Sequence, residues 1–195
     1  MSVSNRLSRT LPYALIGTAA GYLYYVAANI EYHARPGTLG PDFWPKAILL
    51  LTIAAMELVA AGVHKYVMHG WGWGWHRSHH APRSGWFEKN DLYALVFAAI
   101  SLGLFVAGGG PESALWWVGA GTAVYGLLYT LLHDGLVHRR LPIGGRPKSA
   151  YLKRLVQAHR LHHAVKSREG AVSFGFLYAP PVAKLVAALR GGRTL

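Results

Sequence analysis

The 195-residue chain is 52% hydrophobic and only 14% charged, yet it carries a formal net charge of +12 at pH 7. This composition is typical of a membrane protein rather than a soluble domain, and basic residues that flank apolar runs indicate membrane contact and not nucleic-acid binding. The chain has no cysteine, which excludes disulfides and thiolate chemistry.

The N-terminal part contains an apolar run from residue 12 to 29, preceded by Arg6 and Arg9. A basic start followed by such a run is typical of a signal peptide and also of an uncleaved first span; we favour the uncleaved span. A polar loop from 31 to 44 follows, and its His33 is expected to be an ordinary loop residue.

A second apolar run, from 45 to 63, is predicted to span the membrane and leads directly to His64 and His69. Glu57 lies inside this span, two turns before His64. An ionisable residue in a span is costly and points to function. Glu57 is therefore predicted either to orient a ligand imidazole or to pack at a polar helix interface.

Glycine and tryptophan alternate from 70 to 75, which predicts an aromatic belt at the membrane–water boundary. The third span is predicted at 91–107, with Asp91 as its helix N-cap. The fourth is predicted at 113–132. Asp134 follows this span directly, and it is predicted either to hydrogen-bond a ligand imidazole or to be an ordinary helix-end residue.

The segment from 139 to 168 holds nine Lys and Arg residues. Such a basic surface suits anionic lipid, and it suits an acidic electron carrier as well. The last apolar piece, 171–189, is interrupted by Pro180 and Pro181. We expect a re-entrant or interfacial segment here, with a short helix after the prolines.

Alternation of the four spans places the N-terminal tail, the 70–90 connector and the tail after residue 138 on one side of the membrane. Nearly all Lys and Arg residues lie on that side, which the positive-inside rule makes cytoplasmic. The prediction is an all-α integral membrane protein with about four transmembrane helices. Its histidine-rich site is expected on the cytoplasmic side.

Ten of the eleven histidines form two copies of one composite pattern. Each copy has a His-x4-His pair followed by a His-x-x-His-His triplet. On a helix the triplet positions share a face, so each triplet is predicted to aim its rings at one point. The paired positions diverge on a helix, so they converge only if the helix ends or unwinds, or else they serve two centres. The ten residues are His64, His69, His76, His79, His80, His133, His138, His159, His162 and His163.

Ten ring nitrogens supply about five ligands to each of two metal ions. Imidazole suits iron, zinc, copper and nickel, whereas a closed structural zinc site usually carries thiolates, which this chain lacks. A redox-active iron pair therefore fits the pattern better than a single zinc ion. Two copies of the same spacing are not expected of ordinary core histidines.

Three sequence blocks carry a resemblance to a known family: 61–76, 133–138 and 170–181. With these blocks the chain resembles the bacterial β-carotene hydroxylases, a branch of the membrane-bound fatty acid hydroxylase superfamily of histidine-rich di-iron enzymes. The resemblance runs from about residue 56 to 189, and residues 1–44 fall outside it. It implies a hydroxylase domain at 45–195, with residues 1–44 as an extra span and loop.

The resemblance implies that the ten clustered histidines hold two iron ions, for which zinc can substitute in purified protein. It implies that dioxygen is activated with two electrons from a ferredoxin, and that β-ionone rings are hydroxylated at the 3-position. β-Carotene would become β-cryptoxanthin and then zeaxanthin, and ring-ketolated carotenoids would be alternative substrates. Candidate pocket residues are Tyr66, Phe97, Trp116, Trp117, Tyr125 and Tyr129.

Three alternatives stay open from the sequence. Another member of the superfamily, such as a carotenoid ketolase, a desaturase or a lipid or sterol hydroxylase, would differ in product. A membrane protein that only binds or transports metal needs ligands part-way along its spans, whereas these histidines collect at one face. A haem cytochrome would use bis-histidine pairs and leave six of the ten histidines unexplained.

Overall fold

The computed structural model describes residues 43–81, 85–143 and 145–192, and every regular element in these ranges is a helix. Two of the α-helices continue without a break into π-helical segments, which we call π1 and π2. In chain order the elements are α1 (Phe43–Gly62), π1 (Val63–Trp71), α2 (Trp73–His80), α3 (Asp91–Gly108), α4 (Ala114–Tyr129), π2 (Thr130–Val137), α5 (Ala150–Ala164) and α6 (Val182–Arg190).

Three of these helical stretches are long and apolar enough to cross a membrane. They are Phe43–Trp71, Asp91–Gly108 and Ala114–Val137, with mean hydropathies of 2.0, 1.9 and 1.3. They correspond to the second, third and fourth predicted spans and confirm an all-α membrane protein. The first predicted span, at 12–29, lies outside the described residues.

The third of these stretches is the central one. In its most apolar window 39% of the residues are buried, against 11% in each of the other two. Leucines such as Leu58 on α1 and Leu102 on α3 are largely exposed. In a bilayer such side chains face lipid tails, so their exposure is what a membrane-spanning bundle requires.

Small residues on α4 allow its neighbours to approach closely. The Ser101 hydroxyl on α3 donates a 2.9 Å hydrogen bond to the Gly119 carbonyl. At Gly121 a Cβ atom would lie 2.6 Å from Thr52 Cβ on α1, so the backbones touch where only glycine fits. Nearby on α4, Trp116, Trp117 and Ala120 form a buried hydrophobic cluster.

A kink at Gly70 turns the chain at the end of the first spanning helix. Its backbone angles (φ −105°, ψ −126°) are not helical, and α2 starts afresh at Trp73. This break separates the first spanning helix from α2.

The C-terminal part packs α6 against α5 around a core of Leu155, Ala158, Val172, Leu185 and Ala188. The short helix predicted after the prolines is confirmed at Val182–Arg190. The chain from 165 to 181 is irregular rather than helical. Its residues 171–174 are buried, and we call 165–181 the C-terminal loop.

Candidate metal centre

The ten clustered histidines converge in two adjoining groups. In each group four ring nitrogens lie within 4.8 Å of one another, and a fifth histidine joins them. The first histidine group consists of His64, His69, His76 and His162 with His80. The second histidine group consists of His79, His133, His138 and His159 with His163. His33 lies outside the described residues.

The two groups meet at the stacked rings of His80 and His163, whose centroids are 4.5 Å apart. His80 Nε2 lies 3.2 Å from His76 Nε2 in the first group. The His163 ring lies 4.5 Å from that of His159 in the second. Five imidazoles can therefore be assigned to each of two centres.

Both His-x4-His pairs lie on π-helical turns. The backbone N–H of His138 donates to the carbonyl of His133 over 2.8 Å, which closes a five-residue turn between the two members of the pair. His64 and His69 lie on π1 in the same way. The wider π turn brings positions five apart to one side of the helix. The local unwinding that this spacing requires is present, and each pair belongs to a single group.

The triplets behave differently from the sequence prediction, because each is divided between the groups. His76 and His80 belong to the first group, but His79 belongs to the second. His159 joins the second group and His162 the first. At about 100° per residue, positions i and i+4 lie close together, whereas i+3 points to the other side of that face. Each triplet helix therefore lies between the two centres and serves both.

Seven of the ten rings make a hydrogen bond through Nδ1, on the side opposite the Nε2 atoms that face each other. His64 Nδ1 donates to the Phe174 carbonyl over 2.9 Å, and His162 Nδ1 donates to the Val172 carbonyl over 3.0 Å. Arg168 and Val165 provide the carbonyls for His69 and His80. With the proton fixed on Nδ1, the Nε2 atom of each ring presents a lone pair.

In the pairs whose Nδ1 atoms both have an acceptor, these lone pairs point at each other rather than at hydrogen-bond donors. Nε2–Nε2 distances are 3.1 Å for His64–His76, His69–His162 and His79–His133, and 2.8 Å for His138–His159. Nitrogens bound about 2.1 Å from one ion at adjacent octahedral positions lie about 3 Å apart. Clustered lone pairs at this separation suit a shared cation.

One buried nitrogen also indicates a bound cation. His163 Nε2 is buried without a hydrogen-bond partner among the described residues. A buried polar atom with no partner is costly unless something binds it. The donor set and the orphaned nitrogen both fit a pair of metal ions, and the histidine groups could bind metal.

Burial favours the neutral form of the rings on α2 and α5. It lowers the pKa of His76 from its ordinary value of 6.5 to about 3 and that of His80 to about 4. Burial followed by the charges of neighbouring imidazoles lowers the pKa of His79, His159 and His163 as well. A neutral imidazole is the form that binds a metal ion.

Glu57 does not contact a histidine among the described residues. Its carboxylate accepts hydrogen bonds from the backbone N–H groups of Phe176 (2.9 Å), Leu177 (3.0 Å) and Tyr178 (2.9 Å), and from the Tyr125 hydroxyl (2.7 Å). It thus fixes the C-terminal loop, which supplies carbonyls to the histidines. This contact resembles polar packing more than direct orientation of an imidazole, and its role in activity stays a prediction.

Asp134 makes the contact expected of it. Its Oδ1 accepts a 2.8 Å hydrogen bond from His133 Nδ1. Arg140 lies 3.5 Å from the same carboxylate and also binds Asp91 through two nitrogens, at 2.6 and 2.7 Å. The contribution of Asp134 to activity stays a prediction.

Several partners of the histidines escaped the sequence analysis. Glu88 Oε2 lies 3.1 Å from His79 Nδ1, and Asn90 Oδ1 accepts from His76 Nδ1 over 2.7 Å. Both belong to the polar connector before α3, and their polarity was the one feature of the sequence that could have identified them as partners of the histidines. Asp91 was wrongly predicted to be the N-cap: it is the first helical residue, after Asn90, and it binds Arg140. The backbone carbonyls gave no signal, because every residue has one.

The predicted pocket residues divide into several classes. Trp116 and Trp117 belong to the helix core, and Tyr66 is 70% exposed. Tyr125 bonds Glu57, whereas the Tyr129 ring stacks on His133 with centroids 4.5 Å apart. Phe97 lies half-buried on α3.

An apolar cavity adjoins the second histidine group. Leu132, Leu136 and Leu155 line it together with His133 and His159. The same two leucines, Leu132 and Leu136, also line an open groove of about 510 Å³, bordered by Ile143, Pro147 and Leu152 among others. The cavity beside the histidines is only water-sized, about 10 Å³, and these two leucines stand between it and the groove.

Comparison with known proteins agrees with this centre. The family model described as fatty acid hydroxylase matches residues 49–180. A β-carotene hydroxylase of Pantoea ananas is 59% identical over 75% of this chain and 84% of its own length. One from Pseudescherichia vulneris is 57% identical over 73% and 81%.

A chloroplastic β-carotene 3-hydroxylase of Haematococcus lacustris is 35% identical over 86% of this chain and 54% of its own length. No solved structure matches the chain significantly. The family match covers more than half of the chain, and the bacterial relatives match most of their own length. The chain belongs to the fatty acid hydroxylase family, in the branch of the bacterial β-carotene hydroxylases.

Proposed function

We propose that the chain is a carotenoid hydroxylase that inserts one oxygen atom of dioxygen at the 3-position of each β-ionone ring. β-Carotene would give β-cryptoxanthin and then zeaxanthin, and ring-ketolated carotenoids would be further substrates. The observation that carries the proposal is the convergence of ten imidazoles in two groups, with their Nε2 atoms facing inward. The names of the relatives supply the substrate class.

The ten histidines would hold two non-haem iron ions, five rings to each ion, and zinc would compete for the same nitrogens. When bound, the iron pair would supply the oxidising power that an unactivated ring C–H bond requires. The protein's own contribution is to hold the rings. The Nδ1 hydrogen bonds to Phe174 and Val172 fix the tautomers of His64 and His162, so their Nε2 lone pairs stay available.

Each hydroxylation consumes one dioxygen, two electrons and two protons. One oxygen atom enters the ring and the other leaves as water. We propose that a ferredoxin or a similar carrier supplies the electrons. The basic segment 139–168 is a surface at which such an acidic partner, or anionic lipid, would bind.

The apolar groove would receive a long hydrocarbon. Leu132 and Leu136 line both this groove and the small cavity beside His133 and His159, so movement of these two side chains would open a path to the centre. A carotenoid lying in the bilayer would bring one ring end to the centre along this path. Leucine side chains would exclude water from the reacting carbon.

We further propose that residues 45–195 form the hydroxylase domain, and that residues 1–44 add a span and loop. The family match, which begins at residue 49, supports this division. The centre would lie on the cytoplasmic side of the bacterial inner membrane, as the distribution of basic residues favours.

The decisive experiment is a pigment profile from cells that make β-carotene, with and without this chain and with a ferredoxin system. We expect new pigments with 3-hydroxylated rings. The matched variants are His163→Ala, which we expect to abolish them, and His33→Ala, which we expect to leave them unchanged. Ketolated pigments, or β-carotene alone despite good expression, would contradict the proposed reaction. A fully active His163→Ala variant would remove that residue from the ligand set.

A further inference from the structure

The two histidine groups have the same number of rings but different hydrogen-bond acceptors. In the first group every Nδ1 donates to a neutral oxygen. Four of these oxygens are backbone carbonyls and the fifth is the side-chain amide oxygen of Asn90. The rings of this group therefore bond only to uncharged acceptors through Nδ1.

Two of the five rings in the second group bond to carboxylates instead. His79 bonds to Glu88 at 3.1 Å, and His133 bonds to Asp134 at 2.8 Å. Both carboxylates are largely buried, with 10% and 19% of their side chains exposed. A carboxylate acceptor makes the imidazole a stronger base and therefore a stronger donor to a metal ion.

The charged residues around the second group also favour a bound cation. Asp91 accompanies Glu88 and Asp134, since its carboxylate accepts from the Glu88 backbone N–H over 2.9 Å. Arg140 binds Asp91 and Asp134, so three acids stand against one base. Among the described residues no carboxylate accepts from an Nδ1 atom of the first group, and the positive charge of Lys166 acts on its His80. Coulomb attraction to a cation is thus greater at the second group.

We infer that the second histidine group binds its metal ion more tightly than the first and releases it last. Glu88 and Asp134 are the positioning residues that cause the difference, through His79 and His133. The inference rests on the two-ion centre of the proposed function and adds the order in which the two ions are released.

The test measures metal release from the full chain purified in detergent and saturated with Zn²⁺ alone. A chelating indicator is added in excess, and the released zinc is followed with time. We expect two phases of one ion each in the wild-type protein. Glu88→Gln should speed the slow phase by about 10- to 100-fold, the range for loss of such a partner, and leave the fast phase unchanged.

Two further variants keep the test independent of a single substitution. Asn90→Asp places a carboxylate beside His76 and should slow the fast phase toward the slow one. Glu112→Gln removes an exposed acid in the turn between α3 and α4 and serves as the matched control, with both phases unchanged. If Glu88→Gln speeds only the fast phase, the second group holds the weaker site and the inference is wrong.

The pigment assay on the same proteins separates the two proposals. Release of both zinc ions in one phase, with hydroxylation intact, would overturn the inference alone. Two phases of which Glu88→Gln speeds the slow one, without any hydroxylated pigment, would support the inference and overturn the reaction. A chain that never binds more than one ion would overturn both.

Discussion

Seven of the ten imidazoles in the centre have Nε2 facing the group and Nδ1 facing an acceptor of the protein. The outward nitrogen decides the tautomer, so an acceptor such as the Phe174 carbonyl sets the chemistry of His64 from 2.9 Å away. Asn90 does the same for His76 through its amide oxygen. A residue that never touches a metal ion therefore controls whether a neighbour can bind one.

Glu57 is the residue on which the C-terminal loop depends most. A glutamine retains one acceptor oxygen, but its amide group would face the Leu177 N–H or the Tyr125 hydroxyl with a donor. Unsatisfied buried groups cost about 1–3 kcal/mol each. We expect Glu57→Gln to lower the thermal stability and to reduce hydroxylation, because the loop carbonyls would shift away from His64 and His162.

The measurement is thermal unfolding in detergent together with the pigment profile. Glu112→Gln is the control, since its side chain lies exposed in a turn and should leave both readouts unchanged. An unchanged melting temperature for Glu57→Gln would show that the loop does not need this carboxylate.

At the scale of elements, the π-helical turns are the structural solution to the His-x4-His spacing. A regular α-helix would rotate His138 away from His133, whereas the five-residue hydrogen bond between them brings both into one group. The same solution occurs at the ends of two different spans, on π1 and π2. Both histidine pairs therefore extend from membrane helices that hold them in place.

The contact between α1 and α4 can be tested with two glycines on the same helix. At Gly121 a new Cβ would meet Thr52 and the Leu49 carbonyl within 3.0 Å, whereas Gly126 has no such neighbour within 4 Å. We expect Gly121→Ala to destabilise the protein by about 1–3 kcal/mol, because the helices must separate. Gly126→Ala should be neutral, or stabilising by up to about 1 kcal/mol.

Thermal unfolding of the two variants in the same detergent measures this difference. Equal melting temperatures would mean that the α1–α4 contact adapts without cost. A loss of stability in Gly126→Ala alone would contradict the packing described for α4.

For the whole molecule, the histidines make folding dependent on pH. Burial lowers the pKa of His76 to about 3 and of His80 to about 4 in the folded state, while the unfolded chain keeps the ordinary value of 6.5. Between these values the unfolded state binds more protons, so the free energy of unfolding falls as the pH falls. Stability should be full above about pH 6.5 and be lost progressively down to about pH 4.

Melting temperatures of the metal-free protein, measured from pH 8 to pH 4, check this expectation. Bound metal should steepen the dependence, because protons compete for the same nitrogens. A melting temperature that stays constant through this range would contradict the buried, neutral state of the rings.

Much of this protein follows from local features of its sequence. Hydropathy places the three described spans to within a few residues at most ends, and Pro181 marks the start of the last helix. The repeated spacing of ten histidines predicts a two-metal centre, because few other arrangements need so many imidazoles. The resemblance adds the family, which the comparisons confirm.

The division of the triplets was decided by tertiary structure alone. His79 and His80 are sequence neighbours, yet they belong to different groups because α2 lies between the two centres. Some of the acceptors behind the rings come from residues about 100 positions away, such as Phe174 for His64 and Arg168 for His69. Spacing along a helix fixes the direction of a side chain relative to its neighbours, but the position of the helix between two centres depends on contacts that only the folded chain makes.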